Sequence, residues 1–136
     1  MDIARLKHQH TDILARIDAL RKLAHDGVEK NARLIAQQVK QLGAVVTLHL
    51  AIEDRIVYPA ARKSDDERVA LLGERYQEEM TGIANAYIRF TSRWSDEKHV
   101  SAEPNEFRRA ANTVLKEVYQ RMRREDAEFY PVIERL

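Results

Sequence analysis

The chain has 136 residues, a third of them charged, a formal net charge of +1 and no cysteine. That length predicts one domain over residues 1–136 with a core that needs no staples, and the missing cysteine excludes disulfides, thiolate metal sites and covalent c-type haem. The balanced charge gives no argument for a nucleic-acid partner, no apolar run approaches the ~20 residues of a membrane span, and the start lacks a secretory plan, so the expected setting is cytoplasmic.

Only seven residues are Gly or Pro, which suits long helices. The first helix is predicted over 2–25. Ile3, Leu6, His10, Ile13, Ile17, Leu20 and Ala24 alternate steps of three and four, the seam of a bundle helix. His10 occupies a seam slot, whereas His8 faces away. Gly27 is a good stop.

The second helix is predicted over 30–58. Its seam is Ile35, Val39, Leu42, Val45 or Val46, His49, Ile52 or Glu53, and Ile56. Pro59 is expected to end it, with a turn through Ala60, Ala61 and Arg62. The third helix is expected to begin at a capping box of Ser64 and Glu67. Its seam is Val69, Leu72, Tyr76, Met80, Ile83, Tyr87, Phe90 and Trp94. A polar loop from Ser95 to Glu103 follows. The fourth helix starts near Pro104. It carries Phe107, Ala111, Val114, Val118, Arg121 or Met122, Glu125 and Phe129, and Pro131 ends it before a short tail. Gly43, Gly73 and Gly82 fall inside these helices, where close backbone packing is the expected reason. Four long helices with short connections predict an all-α, antiparallel up-down-up-down four-helix bundle.

Helices two and four end alike. A shift of 72 residues carries Glu53 onto Glu125, Asp54 onto Asp126, Tyr58 onto Tyr130 and Pro59 onto Pro131, and carries His49 onto Arg121. Such an echo suggests two-helix units with approximate internal symmetry.

His49 and Glu53 share a helix face. In an antiparallel bundle, a rise of ~1.5 Å per residue brings His10, His49, Glu53, Tyr76, Met80, Arg121 and Glu125 to one level. A polar layer in an otherwise apolar core is the informative observation. Buried imidazoles and carboxylates must be paired, hydrogen-bonded or metal-bound. The candidate metal ligands are His10, His49, Glu53 and Glu125, a set that suits iron(II), zinc, manganese or cobalt.

The layout resembles the hemerythrin-like, HHE cation-binding family over essentially the whole chain. That family is a four-helix bundle with a carboxylate-bridged di-iron site. Its pattern is a His on helix one, His-x3-Glu on helix two, His on helix three, and His followed by a carboxylate on helix four. His10, His49 and Glu53 match one by one, and Glu125, or Asp126 beside it, matches the last carboxylate. The aromatic-Pro endings match at Tyr58-Pro59 and Tyr130-Pro131. The helix-three histidines are replaced by Tyr76 and Met80, and the helix-four histidine by Arg121. The resemblance therefore implies a degenerate, mononuclear site with iron as cofactor and dioxygen or nitric oxide as small-molecule partners.

The alternative is a metal-free bundle that serves as a structural or protein-interaction module. There Arg121 lies between Glu53 and Glu125 and bridges them with its fork of donors. Tyr76 and Met80 read as core residues, His8, His25 and His99 as surface, and the arginines of helix four as a solvated face. Nothing in the sequence names a substrate.

Overall fold

Asp2 opens the first helix by accepting the Arg5 N–H at 2.9 Å, an N-cap on a segment whose apolar residues repeat with helical period. In the computed structural model, which describes residues 1–136, every regular element is helical. Helix α1 (Ile3–Asp26) buries Ile3, Leu6, His10, Ile13, Ile17 and Leu20. Gly27 ends it at φ 139°, a conformation that a Cβ disfavours. Asn31 ties down the turn by donating to the Leu23 carbonyl at 3.1 Å.

Helix α2 (Ala32–Ile52) does not stop at Pro59. It passes through a π-helical turn, Glu53–Val57, into α3 (Tyr58–Arg62). The Tyr58 N–H donates to the Glu53 carbonyl, one residue further back than in an α-helix. The wider turn leaves room for a proline ring that would strike the carbonyl four residues back in a regular helix. The expected stop at Pro59 is thus corrected. The extra residue also moves the seam: Ile56 is 55% exposed and Val57 is fully buried.

Asp66, not Ser64, caps α4 (Glu67–Trp94), accepting the Arg68 N–H at 3.0 Å. Ser64 accepts the Asp66 N–H instead, so the expected capping box is not formed. The expected loop 95–103 holds a short helix, α5 (Glu97–Ala102), capped by Asp96 and anchored by the buried Val100. Helix α6 (Pro104–Arg124) buries Leu115 where the periodicity favoured Val114. It too passes through a π turn, Glu125–Phe129, and continues past Pro131 as α7 (Tyr130–Ile133). Both π turns begin on a glutamate and end one residue before a Tyr-Pro, so the 72-residue echo extends to the backbone.

Helix α1 packs on α2 and α6, and α4 packs on α2 and α6, while α5 rests against α2. Contacts tie the start of α1 to the end of α2, and α3 to α4. No helix is long and apolar enough to cross a membrane.

The glycines separate into two kinds. A Cβ on Gly43 would stand 2.6 Å from the Thr91 methyl, and one on Gly73 would stand 2.7 Å from Ala61 Cβ. These are the close approaches expected. Gly82 has nothing within 4 Å of an added Cβ, which corrects the packing explanation there. Thermal melts should therefore move in opposite directions. Gly82→Ala is expected to stabilise the fold by about 1 kcal/mol through helix propensity. Gly73→Ala is expected to cost about 1–3 kcal/mol through overpacking.

Candidate metal centre

Four buried donors converge where α1, α2 and the two π turns meet. One ligand atom each from His10, His49, Glu53 and Glu125 lies within 4.8 Å of the others. Their relative exposures are 1%, 0%, 0% and 0%. Tyr76, Met80 and Arg121 are buried as well, so every residue expected in the polar layer is in the core.

The local arrangement follows from the helices. His49 and Glu53 sit one helical turn apart, with Nε2 and Oε1 3.1 Å from each other. His10 Nε2 lies 2.9 Å from His49 Nε2 and 3.2 Å from Glu125 Oε1. The π turns start at the two glutamates, the point where the backbone widens. π turns inside α-helices recur at functional sites for this reason: they re-aim a side chain without ending the helix.

The outer nitrogens of both imidazoles are engaged. His10 Nδ1 is 2.8 Å from Asp126 Oδ1, and His49 Nδ1 is 2.7 Å from Gln9 Oε1. Both nitrogens face oxygens, so a proton on each Nδ1 leaves each Nε2 free to ligate. This is the outer-shell arrangement of metal-ligating histidines. Burial, with His10 adding to it, holds His49 down at about 4, so it is a neutral donor at neutral pH.

The carboxylates are held apart in character. Burial and then repulsion from Glu125 push the Glu53 carboxyl well above its usual range. Burial pulls Glu125 the same way, but hydrogen bonding from His10 and Glu53 and the charge of Arg121 outweigh it and hold Glu125 at about 2. Glu53 Oε1 and Glu125 Oε1 are buried, with only the inner imidazole nitrogens and each other's carboxyl groups to partner them. Two imidazole nitrogens and two buried carboxyl groups this close form a donor set that a cation satisfies once it displaces the proton on Glu53. The residues present therefore fit a single metal ion.

Arg121 takes a different position from the expected bridge between the carboxylates. Its Nε reaches Glu125 Oε2 at 3.4 Å, and its Nη2 donates to the Tyr76 carbonyl at 2.6 Å and the Tyr58 hydroxyl at 3.1 Å. The guanidinium lies 4.3 Å from the Tyr76 ring centroid. Its reach falls on Glu125, and Glu53 is served by a tyrosine instead. Burial alone would lower the guanidinium, but Tyr58 and Glu125 more than offset it and keep it charged.

Four participants were not identified as such from the sequence. Tyr58 donates to Glu125 Oε2 at 2.6 Å and Tyr130 donates to Glu53 Oε2 at 2.9 Å. The echo contained the signal, because it repeats a Glu and a Tyr five residues apart. The structure crosses the repeats, each tyrosine serving the other repeat's glutamate. Burial, first of all, drives both hydroxyls far above the usual tyrosine range, so they act as neutral donors. Gln9 and Asp126 are the other two. In the sequence Asp126 reads only as a direct ligand, and Gln9 carries no periodic or chemical signal of its own. Tyr76 points elsewhere, donating to Glu128 at 2.9 Å. His8 and His25 are exposed, as expected, whereas His99 is half-buried, 3.2 Å from Glu103 and edge-on to Trp94.

No curated protein and no solved structure matches the chain. A family model described as the hemerythrin HHE cation binding domain matches residues 1–133. With two histidines and two glutamates gathered in one buried cluster, and a match that spans nearly its full length, the chain belongs to the hemerythrin HHE cation-binding family.

Proposed function

We propose that the chain is a single domain, an antiparallel up-down-up-down four-helix bundle over residues 1–136, that holds one metal ion through His10, His49, Glu53 and Glu125. The bundle reading is supported by the ring of neighbours, in which each long helix packs on two others. The metal reading rests above all on one observation: four buried donors within 4.8 Å of one another.

Iron is the ion favoured, since mixed imidazole and carboxylate donors suit it and the family's pattern is an iron pattern. The role that follows is handling or sensing of iron, dioxygen or nitric oxide in the cytoplasm. A bound ion supplies Lewis acidity and, for iron, a redox centre. The chain's own residues do the rest. Asp126 and Gln9 fix the two imidazoles in the ligating tautomer. Tyr58 and Tyr130 orient the carboxylates. Arg121 neutralises part of the charge on Glu125 and stands where a second set of nitrogen ligands would be needed, so the site is mononuclear.

A metal-free role gains less support. Arg121 serves Glu125 and does not bridge to Glu53, whose donor is Tyr130. The test is metal content by mass spectrometry after anaerobic addition of iron(II) to protein purified without a chelating tag. About one ion per chain is the expected result for four ligands in a single shell. About two per chain would overturn the mononuclear site, and none would overturn the metal reading.

A further inference from the structure

Tyr130 differs from every other aromatic side chain around the four donors. Its Oη lies 2.9 Å from Glu53 Oε2 and 3.0 Å from His10 Nε2. Its ring stacks on the His10 imidazole, with centroids 5.0 Å apart. Neighbouring donors held about 2.1 Å from one ion stand about 3.0 Å apart in an octahedral shell. The edges His10–His49, His49–Glu53 and His10–Glu125 measure 2.9, 3.1 and 3.2 Å. The distance from Tyr130 Oη to His10 Nε2, 3.0 Å, has the same length. Tyr58, its counterpart in the echo, is placed otherwise: it donates to Glu125 at 2.6 Å and accepts from Arg121 at 3.1 Å. One tyrosine faces an imidazole nitrogen, and the other faces a guanidinium.

We propose that Tyr130 Oη is a fifth ligand when the ion is iron(III), and that it makes the site selective between oxidation states. The proposal rests on the single-metal reading above. Glu53, Glu125 and a Tyr130 phenolate supply three hard, negative oxygen donors, which suit a trivalent ion beside the fixed charge of Arg121. Coordination breaks the Tyr130 O–H bond and displaces the proton held by Glu53, sends both protons to solvent water and forms bonds from these oxygens to iron. No electron is transferred, because the iron is supplied already oxidised. With zinc(II), two carboxylates suffice, and Tyr130 remains a phenol that donates to Glu53 Oε2.

The experiment loads the full chain with iron(III) as its citrate complex, with iron content measured by mass spectrometry. Visible absorption and resonance Raman spectra are then recorded. The expected result is a phenolate-to-iron(III) charge-transfer band with enhanced tyrosinate ring modes. The band is lost in Tyr130→Phe, retained in Tyr58→Phe and absent from the zinc-loaded protein. Tyr130→Phe should still take up iron(III) at saturation, with affinity lowered by more than the about 10–100-fold that the loss of an outer-shell partner costs. Iron-loaded protein without the band overturns this proposal and leaves the single-metal reading standing. Survival of the band in Tyr130→Phe, or its loss in Tyr58→Phe alone, also overturns it. Uptake of no iron overturns both. Circular dichroism establishes that each variant is folded. If Tyr130→Phe does not fold, the wild-type Raman spectrum together with Tyr58→Phe decides the question.

Discussion

Glu53→Gln is expected to abolish metal binding while leaving the metal-free protein at least as stable as the parent. The amide keeps the size of the side chain and still accepts from Tyr130, which lies 2.9 Å from Glu53 Oε2. It cannot supply the negative oxygen beside His49 Nε2. The stability half of the expectation follows from the carboxyl's upward shift. A carboxyl whose folded value lies above its free value costs stability as the pH rises past the ordinary carboxyl range, because folding must then take up a proton. Gln has no proton to take up, so that cost disappears in the variant. In the parent, a ligand present at a hundredfold excess over its dissociation constant adds about 2.7 kcal/mol. For a chain of this size that raises the melting temperature by roughly 5–15 °C. Thermal melts with and without iron(II) should show this rise for the parent and none for Glu53→Gln. A rise of equal size in the variant would remove Glu53 from the ligand set. Gln9→Leu forms the graded companion. It deprives His49 Nδ1 of its acceptor at 2.7 Å without touching a ligand. Affinity should fall about 10–100-fold, in keeping with an outer-shell partner.

Much of this centre is legible in the sequence, and the residues that are legible share a property. His10, His49, Glu53 and Glu125 are polar residues at seam positions, where the periodicity demands burial. Their level along the bundle follows from helix rise alone. What the periodicity does not carry is a change of period. The π turns at Glu53–Val57 and Glu125–Phe129 insert one residue each, which moves burial from Ile56 to Val57 and lets both helices pass their prolines. A proline is read locally as a stop, but the clash that makes it a stop is relieved by a wider turn just before it. Gln9 and Asp126 are hidden for a different reason. They lie at the edge of the site, one half-buried and the other 37% exposed, and act on the outer side of a ligand. No apolar pattern marks such positions. Tyr58 and Tyr130 are marked by the echo, yet the crossing of their hydrogen bonds between repeats depends on tertiary packing.

Arg121→Met should affect stability and metal affinity in opposite directions. The guanidinium is 3% exposed and makes three contacts: to Glu125, to the Tyr58 hydroxyl and to the Tyr76 carbonyl. Methionine fills a similar volume but leaves Glu125 without its buried counter-charge. Breaking a buried pair by removing one partner costs about 3–5 kcal/mol, because the remaining charge stays in the core. The metal-free variant should therefore unfold at markedly lower urea. A metal ion sees the reverse. Arg121 is a fixed positive charge bonded to a ligand carboxylate, and it repels any cation placed between the two glutamates. Its removal should tighten binding by about tenfold or more, given Coulomb energies of several kcal/mol at such separations. Chelator competition measures the second effect and urea unfolding of the stripped protein the first. The two combine into one further expectation: iron(II) should recover more stability in Arg121→Met than in the parent, because ion and guanidinium answer the same negative charge. Equal recovery in both would mean that Arg121 and the metal do not compete for Glu125, and that the arginine's place in the core is one of packing alone.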